Sequence, residues 1–366
     1  MEPKTPNKKE TNNRNRRDHW QNVFLAVGAI VLIVMITQLD FAQVWSGLRH
    51  AGYWFFAVIA LWLFLYIFNT TTWYIIIRSG LTKEEAKRVN FWWLYKITVS
   101  GFALNYATPG GLMGGEPYRI MSLSPKIGTE RASSSVILFA MTHIFSHFWF
   151  WIISIILYLI FHVLLVEGHP LSVGMAIMLG AATIFCLLGL WFFIVGYRKG
   201  LAVRAMNLLG HIPFVKKWAK RFIERHNEQL DKIDRQIAEL NDQNPKHFIS
   251  AVLSELSCRI CSALEIYFVL RVINPSANYI DCILILAFTS LFANLLFFIP
   301  LQLGGREGGF LMSAKGLALT ASDGVFVALI IRLRELVWTA IGLALIKLEK
   351  KNDKEEPKQT DKEKLT

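Results

Sequence analysis

Long apolar blocks alternate with short polar breaks along this chain. The blocks run over 22–39, 53–77, 132–166, 171–196, 248–273, 280–300 and 325–346. A membrane-crossing helix needs about 20 mostly apolar residues, and most of the blocks reach that length. The pattern predicts an all-α polytopic membrane protein.

The polar breaks set its orientation, because Lys and Arg concentrate on the cytoplasmic side. Lys8, Lys9, Arg14, Arg16 and Arg17 precede the first block and place residues 1–20 in the cytoplasm as a basic tail. No small-residue cleavage site closes the apolar run that follows, so a retained helix is expected. The loop 40–52 carries little positive charge and is expected outside. RSGLTKEEAKR, with Arg78, Lys83, Lys87 and Arg88, is inside again; VEGHP at 166–170 has neither Lys nor Arg and is outside.

Residues 21–346 then form one transmembrane domain of the cell (cytoplasmic) membrane, with a polar cytoplasmic connector at 198–247. Within that connector Trp218, Phe222, Leu230, Ile233, Ile237 and Leu240 recur at helical spacing. It is either a solvated helix under the bundle or a membrane-surface helix. The tail 347–366 mixes both charges without apolar residues, and is expected to be disordered and cytoplasmic.

With both ends inside, the number of full spans is even. Helices 22–39, 53–77, 132–164, 171–196, 248–273 and 325–346 make six. Two pieces remain, 91–108 and 280–320. Each is expected to dip in and return to its own side, the first from the cytoplasm and the second from outside.

Those two pieces carry matching interruptions. Residues 107–119 read ATPGGLMGGEPYR and residues 297–310 read FFIPLQLGGREGGF. Pro109 precedes Glu116 by seven residues, with Gly114 and Gly115 just before the acid. Pro300 precedes Glu307 by the same interval, with Gly304 and Gly305 close before it. Glycine permits unusual backbone and proline breaks the hydrogen-bond ladder. Such backbone is tolerated at membrane depth only inside protein or along a wet cavity. Interrupted helices in two halves entering from opposite faces suggest an inverted repeat whose half-helix N-termini aim at an anionic ligand.

Composition narrows the partners. The chain has 366 residues, 54% hydrophobic, 13% aromatic and only 18% charged, with net charge +12 and mean hydropathy +0.38. The basic residues gather at segment ends, where topology and lipid contact account for them, so nucleic acid is excluded as a partner. Four cysteines lie in or beside apolar blocks; Cys258 and Cys261 form a CxxC inside a helix block and read as packing residues. No nucleotide-binding, HExxH, DxD or GxSxG pattern occurs, and neither a cofactor nor a metal is expected.

Ionisable residues inside apolar blocks are costly and face an interior or a partner. Glu255 and Arg259 lie four apart and are expected to pair, with Glu265 deeper in the same helix. Arg332, Arg334 and Glu335 sit in the last block, where Glu335 is expected to pair with Arg332. Arg119 and Arg332 are expected to contact ligand, since guanidinium grips phosphate bidentately. His143 and His147 are read as polar packing or a hydrogen bond to the cavity. Asn105, Lys96 and Asn294 are further polar candidates.

PGGLMGGEPYR, IPLQLGGREG and IIRLRELVW together resemble the membrane region of lysylphosphatidylglycerol synthetases, a flippase-like family also found as stand-alone membrane proteins. The resemblance covers roughly residues 20–346. It implies a lipid-facing cavity on re-entrant helices, without the aminoacyl-transfer domain that the full-length synthetases carry. Carried over by motif, Glu116 and Arg119 match the first signature, Glu307 the second, and Arg332 the last-helix arginine. Gly114, Gly115, Gly304, Gly305, Asn105 and Arg259 complete the expected headgroup site. The chain departs from the pattern in LQLGGRE, with an arginine before the acid, and at His143. The implied function is translocation of a phospholipid or lipid-linked headgroup, with membrane lipids as partners and assembly into homo-oligomers left open. Alternatives are a secondary transporter of a small anion, a membrane enzyme acting on a lipid-linked substrate, or an accessory subunit with a vestigial cavity.

Overall fold

The computed structural model describes residues 41–106, 114–161, 173–199, 245–275, 277–295 and 321–355, together with isolated positions in 22–37, 221 and 235. Among the described residues every regular element is a helix. In chain order these are α1 (Phe41–Ala51), α2 (Tyr53–Ser79), α3 (Lys83–Lys87), α4 (Phe91–Tyr106) and α5 (Gly115–Ile127). They continue as α6 (Thr129–Tyr158), α7 (Val173–Lys199), α8 (Pro245–Ile273), α9 (Tyr279–Leu295) and α10 (Ala321–Glu355).

Among the described residues three helices are long and apolar enough to cross a membrane: α2, α6 extended to Phe161, and α7 over Val173–Val195. They match three of the six predicted spans. Helices α8, with 29 residues, and α10, with 35, are long enough. Their charged residues keep them below that apolarity, and several of those charges point inward. Of the block 22–39, the described positions, among them Asn22, Val23, Ile30 and Ile33, are helical. The N-terminal tail 1–20 and most of the connector 198–247 lie outside the described residues.

Two stretches differ from expectation. Residues 41–51 form a helix where a plain loop is predicted. Val44, Leu48 and Ala51 recur at helical spacing and pack on the core, and Gly47 lets Leu329 approach. Helix α10 continues past Lys347 to Glu355, where disorder is predicted. Lys and Glu favour helix, and extending an existing helix is far easier than starting one.

Helices α2 and α8 pack antiparallel through the middle of the bundle. Trp54 meets Phe268 at one end, while Thr72 reaches the Ala251 carbonyl at the other. Thr70 and Thr72 spend their hydroxyls on carbonyls one turn back, so no buried donor is left over. Asn69 does the same to Leu65 and also touches Cys258 Sγ at 3.4 Å. This gives Cys258 a packing role, as its sequence context predicts.

Helices α4 and α5 form a tight antiparallel hairpin. Lys126 Nζ, near the end of α5, lies 4.7 Å from the Trp93 ring near the start of α4. At the other end Gly115 donates its N–H to Asn105 Oδ1 at 2.7 Å. The 16 and 13 residues of these helices give lengths of about 24 and 20 Å, short of a hydrocarbon core of about 30 Å. Gly128, at φ +86, makes the left-handed turn into α6. The Arg131–Glu85 ion pair at 2.6 Å ties that turn to the connection carrying α3.

On the outside, α7 presents Val173, Ile177, Ile184, Leu188 and Trp191, each more than half exposed. A helix apolar on both its packed and its free faces belongs in lipid.

Glu85 closes a capping box on α3 with Thr82. The Thr82 backbone amide first, then Arg131, hold its carboxyl below the usual range. A carboxylate held this way stabilises the fold above its unfolded pKa, and that contribution is lost as pH falls through the folded pKa. Acidification therefore lowers the hydrogen-exchange protection of the Glu85 amide while the core of α4 stays protected. Equal loss at both places would reject the local origin.

Gly115 tests the hairpin. A methyl group there would strike the Gly101 carbonyl, which is backbone, and would sit 2.8 Å from Asn105 Oδ1. Gly115→Ala is expected to cost about 1–3 kcal/mol by overpacking, read as a lower thermal midpoint of the detergent-purified protein.

Candidate functional site

The start of α5 is built from both arms of the hairpin. Gly114 and Gly115 have ordinary right-handed backbone (Gly114 φ −91, ψ −40). Their value here is the missing side chain rather than unusual torsion angles. Because α4 and α5 touch at Gly101 and Gly115, Asn105 reaches across. It accepts from Gly115 N and donates Nδ2–H to Glu116 Oε1 at 3.0 Å. With Gly115 N–H engaged and Pro117 lacking one, this helix end offers fewer free amides than its sequence suggests.

Arg119 lies one turn on, only 2% exposed. Its Nη1 donates to Glu116 Oε1 at 3.3 Å. The rings of Phe102, Phe139 and Trp73 stand 4.7, 5.3 and 5.9 Å from Cζ, a cage worth roughly 0.5–2 kcal/mol per good contact. Gly101 is required here too, since any side chain would collide with Arg119 Nε. Among the described residues, Arg119 Nε and Nη2 and Glu116 Oε2 are buried without a hydrogen-bond partner. A buried unpaired donor costs about 1–3 kcal/mol.

Phe102 and Phe139 also pack on His143, with centroids 6.3 and 6.5 Å away, so a second polar network adjoins the first. His143 Nδ1 is 2.9 Å from Glu255 Oε2. Arg259 donates to Ser146 Oγ at 2.8 Å and to the His143 carbonyl at 2.8 Å, and contacts His147 Nε2 at 2.6 Å. The predicted Glu255–Arg259 pair along α8 is therefore replaced by partners on α6. Helix α6 runs beside α8 with its polar residues in register, which brings those groups nearer than a residue four along on the same helix.

A third cluster lies on α10. Arg334 donates from Nε and Nη2 to the two oxygens of Glu265, at 2.7 and 3.1 Å. Glu335 stands 3.8 Å from Nη2, and the Trp62 ring lies 3.8 Å from Cζ. Arg334 is the buried arginine of this helix. Arg332 is half-buried, two residues away and so on the other side of the helix.

Of the predicted site residues, the structure brings Asn105, Gly114, Gly115, Glu116 and Arg119 together, and joins Arg259 to the adjoining network. Lys96 and Asn294 are exposed. Pro109, Pro300, Gly304, Gly305 and Glu307 lie outside the described residues.

The family model described as the lysylphosphatidylglycerol synthase TM region matches residues 23–342. The chain belongs to that family. It is an integral membrane protein related to lipid handling. No curated protein and no solved structure gave a match to the chain.

For this family member, sequence reasoning missed the Glu265–Arg334 bridge, the His143–Glu255 contact, and the caging rings Phe102 and Phe139. The bridge had a signal: Glu265 and Arg334 are charges near the middle of separate apolar blocks, and each needs a partner. The rings carried none, because phenylalanine is abundant throughout.

Removing one member of a buried ion pair strands the other, at about 3–5 kcal/mol. Glu265→Gln is expected near the lower end, about 3 kcal/mol, because Glu335 stays beside Arg334. Denaturant titration in detergent micelles measures it; a change below about 1 kcal/mol would show the bridge to be effectively solvated.

Proposed function

We propose that the chain moves a lipid headgroup between leaflets and grips its phosphate with Arg119. One observation carries this reading. The Nε and Nη2 atoms of Arg119 are buried without a partner among the described residues. Those same two atoms of Arg334 hold the Glu265 carboxylate bidentately. Among the described residues there are thus two buried arginine forks, one closed by its own carboxylate and one whose geometry suits a planar pair of anionic oxygens.

Glu116, 20% exposed, shares its Oε1 between Asn105 and Arg119. An arriving phosphate competes with it for the guanidinium, so binding loosens the α5 end and release restores it. Arg119 is covered in this conformation, and the hairpin must shift to admit a headgroup. The acyl tails stay in the bilayer beside the apolar outer faces. In this reading α4 and α5 are a re-entrant hairpin, and the signature at 300–307 supplies the opposing half.

The end bearing Lys83, Lys87, Arg88, Lys126 and Arg131 is cytoplasmic on the positive-side rule, and both termini lie on that side of the cell membrane. The chain is a transporter in this account rather than an enzyme, with a phosphate-bearing membrane lipid as its substrate.

The test uses proteoliposomes with a fluorescent phospholipid and an impermeant quencher. Arg119→Lys keeps the charge but loses the fork. Headgroup crossing is expected to slow about tenfold to a hundredfold, the worth of a charged hydrogen bond. An Arg119→Lys variant that is folded yet moves lipid at the wild-type rate would end this assignment.

A further inference from the structure

Two histidines one turn apart on α6 are held in opposite ways. His147 Nε2 lies 2.6 Å from Arg259 Nη1, and a guanidinium has only protons to offer. Nε2 is therefore the bare acceptor, so Nδ1 carries the proton and donates to the His143 carbonyl at 3.1 Å. A second proton on His147 would point an N–H at a guanidinium. His147 is fixed as one neutral tautomer.

His143 has the converse arrangement. Its Nδ1 faces the Glu255 carboxylate at 2.9 Å, so that nitrogen donates. Nε2 makes no hydrogen bond among the described residues, and the side chain is 30% exposed while Glu255 is 1% exposed. Adding a proton forms one N–H bond at the Nε2 lone pair and leaves an imidazolium against a buried carboxylate. Among the described residues, the charged groups facing His143 are Glu255 and Arg259 from α8 and Arg119 from α5. Arg259 is held by Ser146 and His147.

The rings of Phe102 and Phe139 touch both His143 and Arg119. Positive charge on His143 therefore acts on Arg119 across apolar side chains, where charge interactions are strong. Two cations so placed repel until an anion joins them. A proton on His143 and a phosphate on Arg119 stabilise each other, the reciprocal coupling that linkage demands.

We infer that His143, backed by Glu255, is a proton-binding site that couples headgroup movement to a proton gradient, with His147 a non-titrating link to Arg259. The coupling rests on the translocation reading above; the proton site does not.

Two measurements on the full chain separate them. The first is long-range nitrogen NMR of histidine-labelled protein in nanodiscs, assigned with His143→Gln and His147→Gln. Between about pH 8 and about pH 5, His143 is expected to pass from one protonated nitrogen to two while His147 keeps its proton on Nδ1. Titration of His147, or of neither, overturns the site. The second is the steady-state leaflet ratio of a phospholipid probe in proteoliposomes, with membrane potential clamped at zero. With one proton per headgroup, a gradient of one pH unit shifts that ratio about tenfold. In His143→Gln the ratio no longer follows the gradient, and in Glu255→Gln the response shrinks. A His143→Gln ratio that tracks pH as wild type does refutes the coupling. Wild-type protein that moves no lipid at all removes the translocation reading and the coupling with it, while the NMR titration still decides the proton site.

Discussion

A guanidinium cannot be left alone in an apolar interior, and this bundle is arranged around three of them. Arg334 is closed on two oxygens of Glu265 and a Trp62 face. Arg259 is spread over Ser146, His147 and a backbone carbonyl. Arg119 has one carboxylate oxygen and three rings. Arg259 bonds through all three of its nitrogens and Arg334 through two, its Nη1 being buried without a partner among the described residues, and together they fix how α6, α8 and α10 lie. The third keeps Nε and Nη2 without a partner among the described residues, the asymmetry on which the proposed function rests. Deep ion pairs add little net stability but are costly to break, so Arg334 serves to hold register.

Much of the fold was legible in the chain. The apolar blocks at 53–77, 132–164 and 171–196 became α2, α6 and α7, because length and hydropathy alone identify them. Asn105, Gly115, Glu116 and Arg119 lie together because they are close in sequence on either side of one break. What stayed illegible depends on pairing between distant segments. Glu255 meets His143 across 112 residues, and Glu265 meets Arg334 across 69. Helical spacing pointed Glu255 to the local Arg259, and packing between helices prevailed. The glycines of the signature were read as torsional freedom, yet Gly115 acts by letting two backbones touch, and Gly101, which the sequence did not single out, by admitting the Arg119 side chain.

The polar networks are continuous through apolar contacts. Phe102 and Phe139 stand between Arg119 and His143, which separates the two groups from direct hydrogen bonding while leaving them within electrostatic reach. Rings in that position exclude water and keep the intervening dielectric low. A change of charge on one side is then felt on the other without any donor being handed across.

The shortness of the hairpin has an electrical corollary. In the re-entrant placement proposed above, helices of about 24 and 20 Å in a hydrocarbon slab of about 30 Å bring their tip to within roughly a third of the slab from the far surface. If water fills the approach behind the tip, the resting voltage drops mainly over that remaining sliver. An ion crossing it traverses most of the field, worth about 2.3 kcal/mol per unit charge per 100 mV, in a displacement of a few ångströms. Small rocking of α4 against α5 would then do the electrical work of a full crossing.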